Sequence, residues 1–361
     1  MLRNLKILDF STLLPGPFGT LLLADLGAEV VHVTRPSDGE ETILDSYLQR
    51  NKKAIVANLK DVATVEEIKA LVKEYDIIVE QFRPGVMARL GLGYEDLKEV
   101  NPNIIYCSIT GYGQTGPYKN RVGHDINYIA LAGIAANSGT QQDGPPNIGT
   151  QIADLAGGSM HAAVAILAAV IHRQQTGEGQ YLDISMTDCA FSLNAISAPD
   201  YFINGKKLEP ESGFLNGGAF YGYYETADGR YFSVGSLEPA FRKQLVEAIG
   251  RPDLLAIAFS QKEEDIRAFK KALTDTFKTK SFEEWTAIFS VKDACVEPVL
   301  FMDEIEKHSH FVERGLIVEV PTADGSVQKQ LACPIKSNIY TPTYKYAGVK
   351  GSTHKLKSLE F

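Results

Sequence analysis

The sequence predicts an α/β protein in which a large doubly wound, Rossmann-like parallel-sheet domain carries a smaller α+β domain. Three observations lead there. Strand-like and helix-like segments alternate through the first third of the chain, as in a parallel sheet wrapped by crossover helices. A long helical pattern, about Ile152 to Gln175, opens on small residues that permit close packing. A hairpin signal turning at Asp228-Gly229 then precedes helices rich in Lys, Glu and Phe.

In order, LKILDFS is a short apolar run, and LLPGPFGTLLLADLG is a turn followed by a helix ending at Gly27. AEVVHVTRP is a β-branched run stopped by Pro36. AIVANL, the helical VEEIKALVKEY and DIIVEQF repeat the cycle, and NIIYCSITGYG closes it. Right-handed crossovers in such a fold put ligands at the carboxyl ends of the strands. After the long helix, GEGQYLDISM reads as a turn and one more strand. Residues 190–220 hold Pro199, Gly205, Pro210, Gly213 and Gly217 with little periodicity, which reads as an extended linker. The expected division is 1–188 for the large domain, 189–219 for the linker, 220–325 for the small domain, and 326–361 for a return to the large one.

The 361 residues suffice for about two domains. With 36 basic and 45 acidic side chains the net charge is −9. Broad contact with nucleic acid or an anionic membrane is therefore not expected, and an anionic ligand needs a local basic pocket. Cys107, Cys189, Cys295 and Cys333 lie far apart, against a disulfide framework or a zinc site. The charged, proline-broken N-terminus does not read as a signal peptide. The most apolar stretch, Met160 to Ile171, reads as too short to span a bilayer. A cytoplasmic protein is expected.

The first βα turn is PGPFG rather than GxGxxG, and the second strand ends in Arg35 where an NAD-binding fold places an acid. Arginine there suits a ribose phosphate, as in NADP or coenzyme A. Lys60 follows the next strand, and Arg83 and Arg89 the one after, so cations end three consecutive strands. This is a pattern for holding a polyphosphate. Arg50, Lys52 and Lys53 in LQRNKKAI are nearby candidates, but a basic run before a strand more often reads as a solvated face. GYGQTGP is glycine-rich without the spacing of a phosphate loop. GHDINY gathers an imidazole, a carboxylate, an amide and a phenol within five positions, a costly set to bury without a task. Asp154 and Glu238 each stand where an acid can stabilise a helix N-terminus. Trp285, His161, His172, His308 and His310 read as core or surface residues.

LLPGPFG, RPGVMARLGLG, GYGQTGP, GHDINYIALAG, ADLAGGSM, GEGQYLDISMTD, NGGAFYGYYETADGRYFSVGSLEPAF and DACVEPVL together resemble the family III coenzyme A transferases (the CaiB/BaiF superfamily) over essentially the whole chain. GHDINY resembles the α-methylacyl-CoA racemase branch, since transferases of the family commonly lack its histidine. The resemblance implies roles residue by residue. His124 and Asp154 match the catalytic acid/base pair, and Asp125 and Glu238 match supporting acids. Arg35, Ala57, Asn58, Leu59, Lys60, Gln81, Phe82, Arg83, Arg89, Gly123, Ile126, Asn127 and Tyr128 match coenzyme A contacts. The resemblance also implies long linkers and an interlocked homodimer, with each active site between the large domain of one chain and the small domain of the other. The expected partner is an acyl-CoA thioester, with no metal and no cofactor beyond its CoA moiety. Thr150 departs from the asparagine of a racemase relative.

The implied reaction interconverts (R)- and (S)-2-methylacyl-CoA thioesters by 1,1-proton transfer through an enolate, a step of lipid metabolism. It needs a base near each face of the α-carbon and donors for the thioester oxygen. Asp154 must then carry a raised pKa, and N–H groups at the start of its helix are expected to hold the enolate oxygen. The alternative is CoA transfer between carboxylic acids through an Asp154-bound covalent intermediate. A non-catalytic CoA-binding subunit and an NADP oxidoreductase rank below both.

Overall fold

The structure, a computed structural model, describes residues 1–35, 42–322, 324–346 and 353–354. It divides into two compact units, one of residues 1–132, 148–193 and 309–361, the other of 133–147 and 194–308.

In the first unit, β1 (Lys6–Asp9), β2 (Glu29–Thr34), β3 (Lys53–Val56), β4 (Ile77–Glu80), β5 (Ile105–Thr110) and β6 (Gln180–Ser185) form a parallel sheet in the order β3-β2-β1-β4-β5-β6. The two-residue strand Thr353–His354 pairs with β3 at the edge. Ile7 sits in register with Val30 on one side and Ile77 on the other. Strands such as IYCSIT are buried along their whole length, because helices cover both faces of the sheet. The core is built on Leu8, Val31, Ile55, Ile78 and Tyr106. This is the doubly wound sheet expected from the alternation, with its switch point between β1 and β4.

The crossover helices follow local signals. α1 (Pro15–Asp25) opens on Pro15, whose fixed φ suits a first helical turn. The Thr42 side chain caps α2 (Ile43–Leu48), and the Asp61 side chain caps α3 (Val62–Val72). α4 (Val86–Arg89) and α5 (Tyr94–Val100) lead into β5, and α6 (Asp125–Leu131) follows it. A π-helical segment, Ala153–Met160, runs into α7 (His161–Thr176), and α8 (Met186–Ser192) follows β6.

Three expectations change here. The combined helix Ala153–Thr176 has 24 residues and is long and apolar enough, by length and composition, to cross a membrane. The stretch read as too short is therefore part of a longer helix. That helix buries Ala153, Ala162, Ile166, Ala169 and Val170 within this unit. The basic run is not a solvated face either. Arg50 is 1% exposed and Lys52 fully buried. Arg50 pairs with Asp25 at 2.5 Å, and Lys52 with Asp9 at 3.3 Å. Lys53 alone is half-exposed, beside Glu29. Finally, residues expected to be an extended linker form the end of α8 and a further helix, α9 (Ser197–Asn204). Pro199 lies in the first turn of α9, where proline is tolerated, and Gly205 ends it at φ +67°. Pro199 and Gly205 thus bound a helix, while residues 206–219, with Pro210, Gly213 and Gly217, hold no helix or strand.

The second unit pairs β7 (Gly222–Glu225), β8 (Tyr231–Val234) and β9 (Val296–Pro298) in an antiparallel sheet. Gly229 turns the β7–β8 hairpin at φ +75°. α10 (Pro239–Ala248), α11 (Leu255–Ala258), α12 (Glu263–Phe277) and α13 (Phe282–Phe289) cover the sheet around Phe232, Phe269, Phe277 and Trp285. The buried Trp285 indole donates to the Phe277 carbonyl at 2.8 Å.

The boundaries differ from those expected. Residues 133–147 join the second unit, where Asn137 meets Asn194 and Ser197. The return to the first unit begins at Ser309 rather than 326. It brings the antiparallel pair β10 (Ile317–Pro321) and β11 (Val327–Leu331). Tyr340 donates from this segment to the Asp25 carbonyl at 2.8 Å. Pro36 and most of the final residues of the expected return lie outside the described residues.

Candidate active site

Parallel neighbours share an edge, so the carboxyl ends of β3, β2, β1 and β4 lie along one rim. Arg35 follows β2 and is exposed. After β3, the Ala57 N–H bonds the Thr34 carbonyl at 2.8 Å, Leu59 packs on the core, and the Asn58 side chain accepts the Lys60 N–H at 3.2 Å. Gln81, Phe82 and Arg83 follow β4. At the switch point the Gln81 side chain accepts the Gly16 N–H at 2.9 Å. A Cβ at position 16 would run into Ser11 and Gln81, so PGPFG needs its first glycine for close approach. Arg89 ends the short α4.

A cleft of about 410 Å³ opens on this rim. It brings together Gln81, Phe82, Arg83, Gly123, His124 and Tyr128, six of the residues singled out in the sequence. Arg35, Ala57, Asn58, Leu59, Lys60, Arg89, Asp125, Ile126, Asn127, Asp154 and Glu238 lie outside its lining. Ile126 and Asn127 belong to α6, which the cleft meets at His124 and Tyr128.

His124 has extended backbone immediately before α6, and its N–H donates to the Asn127 side chain at 3.0 Å. The Tyr128 hydroxyl donates to the Gly123 carbonyl at 2.5 Å, closing the turn that presents His124. Burial, reinforced by the Asp154 charge, pushes the Tyr128 phenol up to about 12. It therefore stays protonated, a donor fixed on this turn.

Asp125 begins α6, and its carboxylate accepts the Asp154 N–H at 2.9 Å. This one bond ties the histidine-bearing helix to the π-helical segment. Half-buried, the Asp154 carboxyl is raised to about 6. Burial contributes most, the Asp125 charge pushes the same way, and His124 opposes both. The structure thus gathers three of the four predicted acid/base residues. The fourth, Glu238, belongs to the second unit at the N-terminal boundary of α10, with Arg242 and Cys295 as its electrostatic neighbours.

The expectation that N–H groups at the start of the Asp154 helix hold an oxyanion needs correction at two positions. The Asp154 N–H is taken by Asp125, and the Leu155 N–H by the Gln151 carbonyl. Thr150 is exposed, and Asp154 is held instead by Asp125 and Ser159. The buried Ser159 hydroxyl lies 2.6 Å from the Pro15 carbonyl and 3.0 Å from the Asp154 carbonyl. His161 Nδ1 lies 2.7 Å from the Ala156 carbonyl. A π-helical stretch is rare and concentrates at functional sites.

Leu13, Lys119, Arg121 and Ser159 were not singled out in the sequence. Leu13 lines the cleft with a left-handed backbone at φ +61°, a strained state for leucine that no sequence signal announces. The two cations in YKNRV, just before GHDINY, were a readable signal.

Comparisons with known proteins identify the family. The family model described as CoA-transferase family III matches residues 2–347. The alpha-methylacyl-CoA racemase of Homo sapiens is 36% identical over 327 residues, covering 90% of this chain and 84% of that protein. The succinyl-CoA:glutarate CoA-transferase of Homo sapiens is 33% identical over 337 residues, covering 88% and 76%. A solved CAIB/BAIF family protein from Brucella suis matches with a TM-score of 0.82 at 26% identity, covering 96% of this chain and 95% of that one.

Proposed function

The chain belongs to CoA-transferase family III, and from that premise we propose that it racemises 2-methylacyl-CoA thioesters. The observation carrying this reading is the meeting of His124, Asp125 and Asp154, with the Asp154 carboxyl raised to about 6. A carboxyl so poised exists in both protonation states near neutral pH, as an acid/base group must.

Neutral His124 takes the α-hydrogen as a proton from one face of the thioester, and the C–H electron pair moves into the enolate. Protonated Asp154 delivers its proton to the opposite face, leaving a carboxylate and an imidazolium. The reverse direction exchanges the roles. Asp125 positions Asp154 and keeps its proton available. Gln81, Phe82 and Arg83 flank the CoA moiety, and no further cofactor takes part. A homodimer is the proposed assembly, supported by the apolar outer face of α7, where Val164 is 66% and Ile171 57% exposed.

CoA transfer is the second reading, favoured by the 33% identity to a transferase. It uses Asp154 as nucleophile and has no need of an imidazole base. The test is to incubate one enantiomer of a 2-methylacyl-CoA in deuterated buffer without a second acid. Racemisation predicts α-deuteration with loss of optical purity. His124→Ala and Asp154→Asn should each slow this by about 10²–10⁴-fold. Acyl movement only on adding a carboxylic acid, undiminished in His124→Ala, would establish transfer instead.

A further inference from the structure

The wall of the His124 cleft formed by the loop before GHDINY carries Lys119 and Arg121, and Arg83 lines the same cleft. No carboxylate is among the residues lining it. Among the described residues, none of the three cations is in an ion pair. On a chain of net charge −9, three unneutralised cations around one cleft make a local field of the opposite sign.

The loop is also held in shape. The Arg121 N–H donates to the Tyr118 carbonyl at 2.8 Å, and the Arg121 guanidinium lies 4.1 Å from the centre of the Tyr118 ring. Tyr118 packs on Tyr112 with ring centres 5.5 Å apart, and Tyr112 meets Tyr128 edge-on at 5.2 Å. Tyr128 in turn closes the His124 turn. Arg121 is therefore anchored through stacked rings to the turn that carries His124. An anchored guanidinium loses less freedom when it binds an oxyanion.

We propose that Lys119 and Arg121, facing the cleft with Arg83, form an oxyanion-binding site for a phosphate or carboxylate group of the thioester substrate. The proposal rests on the CoA-thioester reading of the cleft. It adds two cations outside the strand-end series and gives them one ligand chemistry. The oxyanion has two sources, the phosphates of CoA or a carboxylate at the far end of the acyl group.

The experiment is calorimetric titration of the full chain and of a Lys119→Gln/Arg121→Gln double variant. The ligands are free CoA, a neutral acyl-CoA, and the mono-CoA thioester of a dicarboxylic acid of equal chain length. A loss of about fivefold or more in affinity for any of them supports the site, since charge-assisted pairs to oxyanions are among the stronger polar contacts. Equal loss for all three assigns the oxyanion to the CoA phosphates. Loss confined to the dicarboxylic thioester assigns it to the acyl carboxylate. Losses below about fivefold for every ligand overturn the proposal. Lys119→Arg, which keeps the charge and leaves the stacked Arg121 in place, should retain wild-type affinity, and its failure to do so would equally count against the site. Binding is read without turnover, so a wild-type chain that binds CoA but exchanges no α-proton refutes racemisation and leaves this site standing.

Discussion

Asp154 gains its proton affinity from burial and from one neighbour of like charge. Asp125→Asn keeps an oxygen to accept the Asp154 N–H but removes that charge. The Asp154 pKa should then fall toward its ordinary value. The limb of the pH–rate profile assigned to Asp154 should move to lower pH, with the fold intact; an unmoved limb would separate the two acids. Stability gives an independent reading. The folded-state pKa of about 6 lies above the ordinary 3.8. Folding therefore becomes less favourable as pH rises from about 4 through 6, because the unfolded chain releases this proton first. Asp154→Asn, though slowed in exchange, should be more stable than wild type above pH 7, by on the order of 1 kcal/mol at this half-buried position. That advantage should shrink below pH 4. Melting temperatures across pH check it. At this scale the sequence marked His124, Asp125 and Asp154 as candidates. It did not reveal the Asp125 bond to the Asp154 backbone, which joins groups 29 positions apart.

Among elements, the π-helical segment shows how local and distant contacts combine. Ser159 bridges the Asp154 carbonyl within its own segment and the Pro15 carbonyl at the start of α1. α1 also meets the turn after β4 through Gly16 and Gln81. Ser159→Ala would leave buried carbonyls short of a donor, costing about 1–3 kcal/mol. Its kcat should fall while KM stays near wild type, since the residue holds Asp154 rather than substrate. Denaturant unfolding and steady-state kinetics on one preparation check both effects. The small residues of ADLAGGSM made a packed helix legible. Its π register was not, because the extra residue per turn depends on partners elsewhere. The same gap misread the first part of 189–219, where Pro199 and Gly205 mark the ends of α9.

For the whole molecule, the first unit is assembled from three separate stretches of chain. Arg50 shows why the last of them matters. Its guanidinium reaches Asp25, the Gln330 side chain at 3.0 Å and the Leu331 carbonyl at 2.8 Å. Ending the chain at His308 would remove two of those partners and expose a buried cation. Asp25 remains, but each neutral acceptor lost from a buried charged donor typically costs about 1.5–3 kcal/mol. The truncated chain should lose the cooperative unfolding transition of the first unit, followed by circular dichroism. A truncation melting like the full chain would show the return segment to be dispensable.

Alternating apolar runs, capping residues and turn glycines are local signals, so the sequence alone determined the parallel sheet, its helices and the hairpin. It also marked His124, Asp125, Asp154 and the strand-end cations as the residues to examine. Only the tertiary structure decided that Lys52 and Arg50 are buried, that 133–147 leaves the first unit, and that Lys119 and Arg121 share the cleft with His124. Burial and proximity depend on contacts between residues far apart in the chain, and a linear pattern does not encode those distances.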